Sequence, residues 1–423
     1  MNSPSLPLPA VPICHVAYAR YPADPRIRKE VETLRDAGFS VDVLSLGSTK
    51  ESPREVRSGV FVRRLPFQVQ RGSRGRYAYQ YAMFVFLTAA NVLLAQLRRR
   101  YRVIHVHSLP DFLVFAALPC RVLGARLILD LHESMPEIYR ARFPRRGGSL
   151  LERLAVFGQR VSCAFANLIV TVNPEIAGIL ESRGVPAERV IIIENSPDWS
   201  PAMAVPSGVK GPDESHQIII LGGLNSERDI PVVIQAAHIM RSGPRIQWRI
   251  IGPGEAVYVR ALRDSVHAFG LDGIVSIEEE VSAEMARSLL PKTIVGVVSY
   301  QLNPLTQIAT PNKAYEYAVA GKAMVVADLK GLRTLLGDAP LYYRPGDSQD
   351  LAQKIGFLVE NSSERERRGQ AARQQIDGHR WDIMAKRLVA AYRECLSNQD
   401  MQPEKDVTRR STEERSGGPL DGR

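Results

Sequence analysis

Five residues near the end of the chain combine types and spacing that suit a phosphorylated ligand. In "ATPNKAYEYAVAGKAMVVAD" (309–328), Thr310 is placed to cap a helix that begins at Pro311. Asn312 and Lys313 then fall in the first turn, where free backbone amides and the helix dipole favour an anion. Glu316 follows one turn later, on the side of Lys313. A cation at a helix start can hold a diphosphate, and a carboxylate one turn on can accept two ribose hydroxyls. A capped helix carrying a surface Lys313–Glu316 pair reads the same residues equally well.

Two glycine turns join this set. "LGGLNSERDIP" (221–231) places Gly222 and Gly223 after a strand and Arg228 near the next helix start, where it can clamp phosphate oxygens. "IIGPGE" (250–255) sets Gly252 at the end of another strand. A glycine after one strand is an ordinary turn; three such sites at strand ends of one sheet make a stronger case. Earlier in the chain, "LILDLHESMPE" puts His132 at the carboxyl end of a strand, facing a ligand cleft. His132 is read as a group that hydrogen-bonds a ligand or stabilises developing charge. His105 and His107 of "VIHVHSLPD" are read as packed histidines within a strand. No DxD and no His/Asp/Glu run has metal spacing, so no metal is expected. Walker, GxSxG and post-strand GxGxxG motifs are missing, which argues against a P-loop enzyme, a serine hydrolase and a dehydrogenase.

The elements that must hold these residues alternate regularly. "ICHVAYA", "SVDVLSLG", "YRVIHVHS", "ARLILDLHE", "NLIVTVN" and "VIIIEN" read as strands separated by helical patterns, including "LPDFLVFAALPCRVLG" as one helix. A Pro/Gly/Ser-rich stretch, 197–215, reads as a linker. The alternation restarts with "QIIILGG" and continues to the 309–328 stretch. Strands without polar alternation, separated by helices, form parallel sheets covered on both faces. The expected fold is α/β, with two doubly wound Rossmann-like domains facing across a cleft. The expected organisation is a flexible 1–11, a first domain 12–196, the linker 197–215, a second domain 216–380, a final helix 381–396 and a disordered tail 397–423.

Charge is one-sided. Residues 1–200 carry 27 Lys+Arg against 17 Asp+Glu, while residues 201–423 carry 28 of each, so the whole +10 excess sits in the first half. Its clusters are "RGSRGR" (71–76), "RRRYR" (98–102) and "RARFPRR" (140–146). That points to an anionic partner, of which a membrane surface is preferred and nucleic acid is not. The uncharged 79–97 stretch is long enough to span a bilayer. Gln80, Asn91 and Gln96 interrupt it, and a doubly wound domain needs a helix there, so it is read as a core or interfacial helix. Four scattered cysteines and an N-terminus without a basic n-region or long apolar run favour a reducing, cytoplasmic setting.

These motifs resemble a family 4 glycosyltransferase of the two-domain GT-B fold over roughly residues 12–396. The resemblance rests on "YPADPRIRKEVETLRDAGFSVDVLSL", "VIHVHSLPDFL", "ARLILDLHE", "VTVNPEIAGILESRGVPAERVIIIENSPD", "TPNKAYEYAVAGKAMVVADLKGLRTLL" and the closing "RWDIMAKRLVAAYREC". It implies metal-independent, retaining transfer from a nucleotide-diphosphate sugar to a glycan or lipid-linked acceptor. Glu316 then matches the ribose-binding glutamate and Arg228 the basic residue on the diphosphate. Asn312 and Lys313 border sugar and phosphates, His132 lies near the reacting sugar, and the loop Tyr21–Arg28 lies by the acceptor. Two departures stand out. Ile308 replaces the first glutamate of the E-x7-E pair that many members carry, and "ARYPADPR" lacks the first-loop glycine pair, leaving Arg26 or Arg28 to substitute. The competing expectations are a nucleotide-sugar epimerase of the same fold, which needs no acceptor, and a non-catalytic membrane- or nucleic-acid-binding protein.

Overall fold

The structure is a computed structural model that describes residues 10–48, 51–66, 74–143, 149–197 and 216–400. The expected flexible N-terminus, linker and tail, with Arg71, Arg145 and Arg146 of the basic clusters, lie wholly or largely outside the described residues.

The first half builds an eight-stranded sheet from β1 (Pro12–Arg20), β2 (Ser40–Leu46), β3 (Arg54–Arg57), β4 (Val60–Leu65), β5 (Val103–His107), β6 (Arg126–Leu131), β7 (Leu168–Thr171) and β8 (Val190–Ile192), in the order β3-β4-β2-β1-β5-β6-β7-β8. All neighbours are parallel except β3 with β4. That edge hairpin was missed as a strand pair. Its two-residue turn, Ser58 and Gly59, has φ of 49° and 80°, the left-handed pair that tight hairpins use. Helix starts follow local chemistry: Asp24 accepts the Arg26 amide at 3.0 Å ahead of Pro25, and Asn173 accepts the Ile176 amide at 2.9 Å ahead of Pro174. The single helix expected over 109–124 is corrected. A 3-10 turn, Asp111–Ala117, precedes a five-residue helix, Leu118–Val122, because Pro119 cannot donate the amide that would continue one ladder.

The second half forms β9 (Gln217–Leu221), β10 (Gln247–Ile251), β11 (Val275–Glu278), β12 (Gly296–Val298), β13 (Met324–Ala327) and β14 (Leu341–Tyr343). All pair in parallel, as β11-β10-β9 and β12-β13-β14. A Gln217–Thr293 bridge, with the Ile294 amide on the Gln217 carbonyl at 2.8 Å, sets β12 beside β9. Chain order therefore reverses between β9 and β12, the place where doubly wound sheets open a ligand crevice.

The halves are joined by specific contacts. Asn173 donates to the Ile308 carbonyl at 2.8 Å, and Glu194 accepts from the Tyr315 hydroxyl at 2.8 Å and lies 2.7 Å from His379 Nδ1. The last helix, Trp381–Asp400, lies on the first domain and buries Met384, Leu388 and Tyr392 with Ile27, Val31 and Leu34. Helix Arg74–Arg99 covers the opposite face, turning Gln80, Phe84, Thr88, Val92 and Gln96 inward at every fourth position. Tyr79, Phe86, Leu94 and Leu97 stay exposed, so the polar interruptions face the protein and apolar groups face out. Its segment Tyr79–Arg99 has the length and apolarity of a membrane span, yet here it is one layer of a domain.

Candidate active site between the two domains

The glycine turns meet backbone to backbone. Gly222 N donates to the Ile251 carbonyl at 3.0 Å and Leu224 N to Pro253 at 2.7 Å. A Cβ on Gly252 would lie 2.0 Å from the Gly222 carbonyl oxygen, so only glycine fits there. A Cβ on Gly222, at φ 136°, would lie 3.2 Å from the Arg228 guanidinium, which rests on that turn and over the Tyr300 ring at 5.0 Å. Gly223 has open space nearby, with its nearest contact at 3.9 Å. Ser299, just after β12, fixes the Arg228 carbonyl at 2.7 Å. Among the described residues no carboxylate pairs with Arg228, so its charge is available in the cleft.

Helix Asn312–Val319 begins one residue later than expected. Pro311 is its cap, and Thr310 does not cap it; Thr310 Oγ1 instead lies 3.3 Å from Asn173 Nδ2 in the other domain. Lys313 Nζ contacts Glu316 Oε2, and both side chains are half-buried. Tyr317, on the same helix, is buried and donates its hydroxyl to the Ile219 carbonyl at 2.6 Å, tying the helix to β9 beside the Gly222 turn. Ile308 is buried in the first domain's core, and its carbonyl takes the Asn173 bond, so this position, where the resemblance leads one to expect glutamate, serves the interdomain contact.

Across the cleft, parallel register assembles a row of imidazoles. His15 of β1 pairs with His105 of β5, and His107 pairs with Asp130 of β6. The rings stack at centroid distances of 4.5 Å for His105–His107 and 5.5 Å for His107–His132. Asp130 Oδ2 lies 2.9 Å from His107 Nδ1, 3.1 Å from His132 Nε2 and 3.6 Å from His105 Nε2. His15 Nδ1 is 2.9 Å from His107 Nε2, and the Tyr392 hydroxyl is 2.6 Å from His105 Nδ1. The network assigns the protons. Tyr392 donates to His105 Nδ1, and the His107 Nδ1–H and His132 Nε2–H groups converge on Asp130, with His105 Nε2 nearby at 3.6 Å.

Electrostatics follow from this geometry. Burial alone would raise the Asp130 carboxyl, but the His132, His105 and His107 imidazoles around it hold it well below the usual carboxylate range. Burial first, then His105, pushes His107 down to about 3, and His15 is likewise lowered by burial and its neighbouring imidazoles. Burial and Asp130 push the Glu30 carboxyl well above its usual range. With Nε2 committed to Asp130, His132 presents a buried Nδ1 with no partner among the described residues. His132 lines a cavity of about 230 Å³ with Asp24, Arg26, Tyr81 and Ser108. Arg26, held by Asp24 at 2.8 Å, is thus the first-loop arginine at the cavity; Arg28 does not line it.

Sequence reasoning missed His15, Glu30, Asp130 and Tyr392, and separated His105 and His107 from His132. It expected no metal from local spacing alone, and did not foresee that the fold gathers two groups of possible donors. His107, Asp130 and His132 present donor atoms about as close as tetrahedral ligands, as do His15, Glu30, His105 and His107. The donors come from β1, β5, β6 and the turn after it, and the first helix, so no local spacing betrays them. Hydrogen-bond distances link His15 to His107 and His107 to Asp130 and His132, while Glu30 Oε2 and His105 Nε2 have no partner among the described residues. Arg140, taken as part of a basic patch, is internally paired with Glu137 and Glu152 at 3.2 and 2.5 Å.

Comparison with known families decides the assignment. Residues 23–196 match the model for a glycosyl transferase 4-like domain, and residues 215–361 match glycosyl transferases group 1. The chain belongs to glycosyltransferase family 4. Solved structures share its GT-B fold at low identity. The sucrose-phosphate synthase of Thermosynechococcus elongatus superposes with a TM-score of 0.74 at 15% identity, covering 92% of this chain and 100% of that one. Anabaena HepE, solved with UDP-glucose, gives 0.65 at 15%, covering 90% and 99%. The lipopolysaccharide outer core galactosyltransferase WaaB gives 0.62 at 11%, covering 92% and 100%. No curated protein sequence matches significantly. This glycosyltransferase therefore carries its glycine turns, Arg228 and the 312–319 helix on one side of the cleft and the histidine row on the other.

Proposed function

We propose that this glycosyltransferase moves a sugar from a nucleotide-diphosphate sugar to an acceptor hydroxyl, with retention and without a metal, in surface polysaccharide or glycolipid assembly at the inner face of the cytoplasmic membrane. The observation that carries it is the built turn in the second domain: Arg228, paired with no carboxylate among the described residues, rests on the Gly222 turn and over the Tyr300 ring at 5.0 Å, in a chain whose two halves match the two domains of the family. A UDP-sugar is the first donor to test, because HepE was solved with UDP-glucose.

In this reading Arg228, Lys313 and the 312–319 helix start take up the charge of the departing diphosphate. Glu316 holds the ribose hydroxyls once the ligand displaces Lys313 from it. Close glycine packing lets the pyrophosphate approach backbone amides. His132 Nδ1 accepts a hydroxyl of the donor sugar, and the Arg26-lined cavity seats the acceptor. The new bond to the anomeric carbon forms on the face from which the phosphate leaves, and the acceptor proton passes to the departing phosphate oxygen. No step needs an enzyme nucleophile.

The membrane setting is supported by the basic first half, by the outward apolar side chains of helix Arg74–Arg99, and by the exposed Leu150, Leu154 and Phe157 of helix Leu150–Phe165. The test is an assay of UDP release from UDP-sugars with and without a lipid extract, with the product anomer read by proton NMR. Acceptor-dependent release and a retained anomer support the reading. Acceptor-independent conversion of the donor sugar supports an epimerase instead.

A further inference from the structure

The first domain holds a second, larger cavity on the side away from the cleft. About 480 Å³ in volume, it lies between the early parts of β2 and β4 and the last turns of helix Arg74–Arg99. Val56, Phe61, Val92 and Ala95 give it apolar walls. Four arginines, Arg54, Arg63, Arg98 and Arg99, also line it. The one acid among its lining residues is Asp42, already covered by Arg99 at 2.7 Å and by the Tyr101 hydroxyl at 2.6 Å.

The remaining cations are uncompensated. Arg54 and Arg63 are direct cross-strand partners on β3 and β4, an arrangement that like charges disfavour. Arg63 reaches only the Asn91 side-chain oxygen, at 3.2 Å. Among the described residues no carboxylate pairs with Arg54, Arg63 or Arg98. The cavity opens into the same layer as the outward apolar groups. Val56, Leu94 and Leu97 are 72%, 56% and 61% exposed. The helix packs on segment 111–122, which packs on helix Leu150–Phe165 with its own exposed leucines. A small anion would use the arginines and leave the apolar walls idle, whereas one amphiphile satisfies both.

We propose that this cavity seats a single phosphate-headed lipid, acyl chain against Phe61, Val92 and Ala95 and phosphate on Arg54, Arg63 and Arg98, and so fixes the domain on an anionic membrane. It rests on the membrane setting proposed above and is independent of the transfer chemistry. Full-length protein is floated with phosphatidylcholine vesicles, with and without phosphatidylglycerol. The Arg54→Gln/Arg63→Gln/Arg98→Gln variant should lose about 10²-fold in affinity for the anionic vesicles. A charge-matched control, Arg260→Gln/Arg263→Gln/Arg287→Gln on the exposed surface of the second domain, should lose little. Ala95→Trp fills the cavity without touching charge and should abolish binding of a fluorescent short-chain phosphatidylglycerol. Circular dichroism and a cooperative thermal melt confirm that each variant is folded. Equal loss in the two arginine variants, or an Ala95→Trp protein that binds lipid normally, would overturn the pocket while leaving the membrane setting intact. Competition by inorganic phosphate as strong as by lipid would reduce it to a small-anion site. No binding to anionic vesicles would remove both.

Discussion

Asp130 Oδ2 lies 3.1 Å from His132 Nε2 and 2.9 Å from His107 Nδ1, so one buried oxygen fixes both rings and leaves the buried His132 Nδ1 without a partner among the described residues. Replacing Asp130 with Asn removes the charge and one acceptor while keeping the shape. Transfer should fall by about 10²-fold or more, with nucleotide affinity unchanged, because the donor site lies on the other domain. Steady-state rates beside calorimetry separate the two. Parallel loss of both would make Asp130 a folding residue only.

The row also ties the last helix to the site. In Tyr392→Phe, His105 Nδ1 loses its 2.6 Å partner inside a fully buried cluster. The expected cost is about 1–3 kcal/mol in urea unfolding. A change within error would mean the hydroxyl is not a structural bond.

Glycine contacts separate two neighbouring positions. Gly252→Ala drives a methyl into the Gly222 carbonyl and should abolish nucleotide binding or unfold the second domain, whereas Gly223→Ala should retain both. Thermal melts with and without nucleotide check the contrast.

Acid should destabilise the first domain early. His107 is held down to about 3, against an unfolded value of about 6.5. The unfolded chain therefore binds more protons between these values, and stability is lost as pH falls below about 6.5, at about 1.4 kcal/mol per pH unit for each excluded proton. Asp130 adds a loss only at lower pH, as its depressed carboxyl protonates. His107→Asn removes one of these protons, so its melting temperature should depend less steeply on pH between 6.5 and 4.

Chelation should change nothing. Dialysis against EDTA should leave nucleotide affinity and transfer intact, with no stoichiometric metal by elemental analysis. A tightly held zinc would reassign His107, Asp130 and His132 as its ligands.

What could be read in the sequence depended on locality. The strand–helix alternation and the glycine–arginine turns are contiguous patterns, and the two sheets follow from them. Lys313 and Glu316 are one helical turn apart, so their meeting was also legible. Thr310 was misread as a cap because its partner, Asn173, lies in the other domain. The histidine row was invisible for a similar reason. Its members come from β1, β5, β6, the first helix and the last, and only strand register brings them together. Arg54 opposite Arg63 belongs to a hairpin whose turn, Ser58–Gly59, could have been recognised from the "SG" dipeptide.

The most direct test is calorimetric titration with UDP, GDP, ADP and TDP, repeated for the best ligand with Arg228→Ala and Glu316→Ala. Placement of the donor between the Gly222 turn and the 312–319 helix predicts selective binding of one diphosphate, weakened at least about tenfold in each variant. Undiminished binding in both variants would put the nucleotide elsewhere. No binding of any diphosphate would contradict the donor site itself.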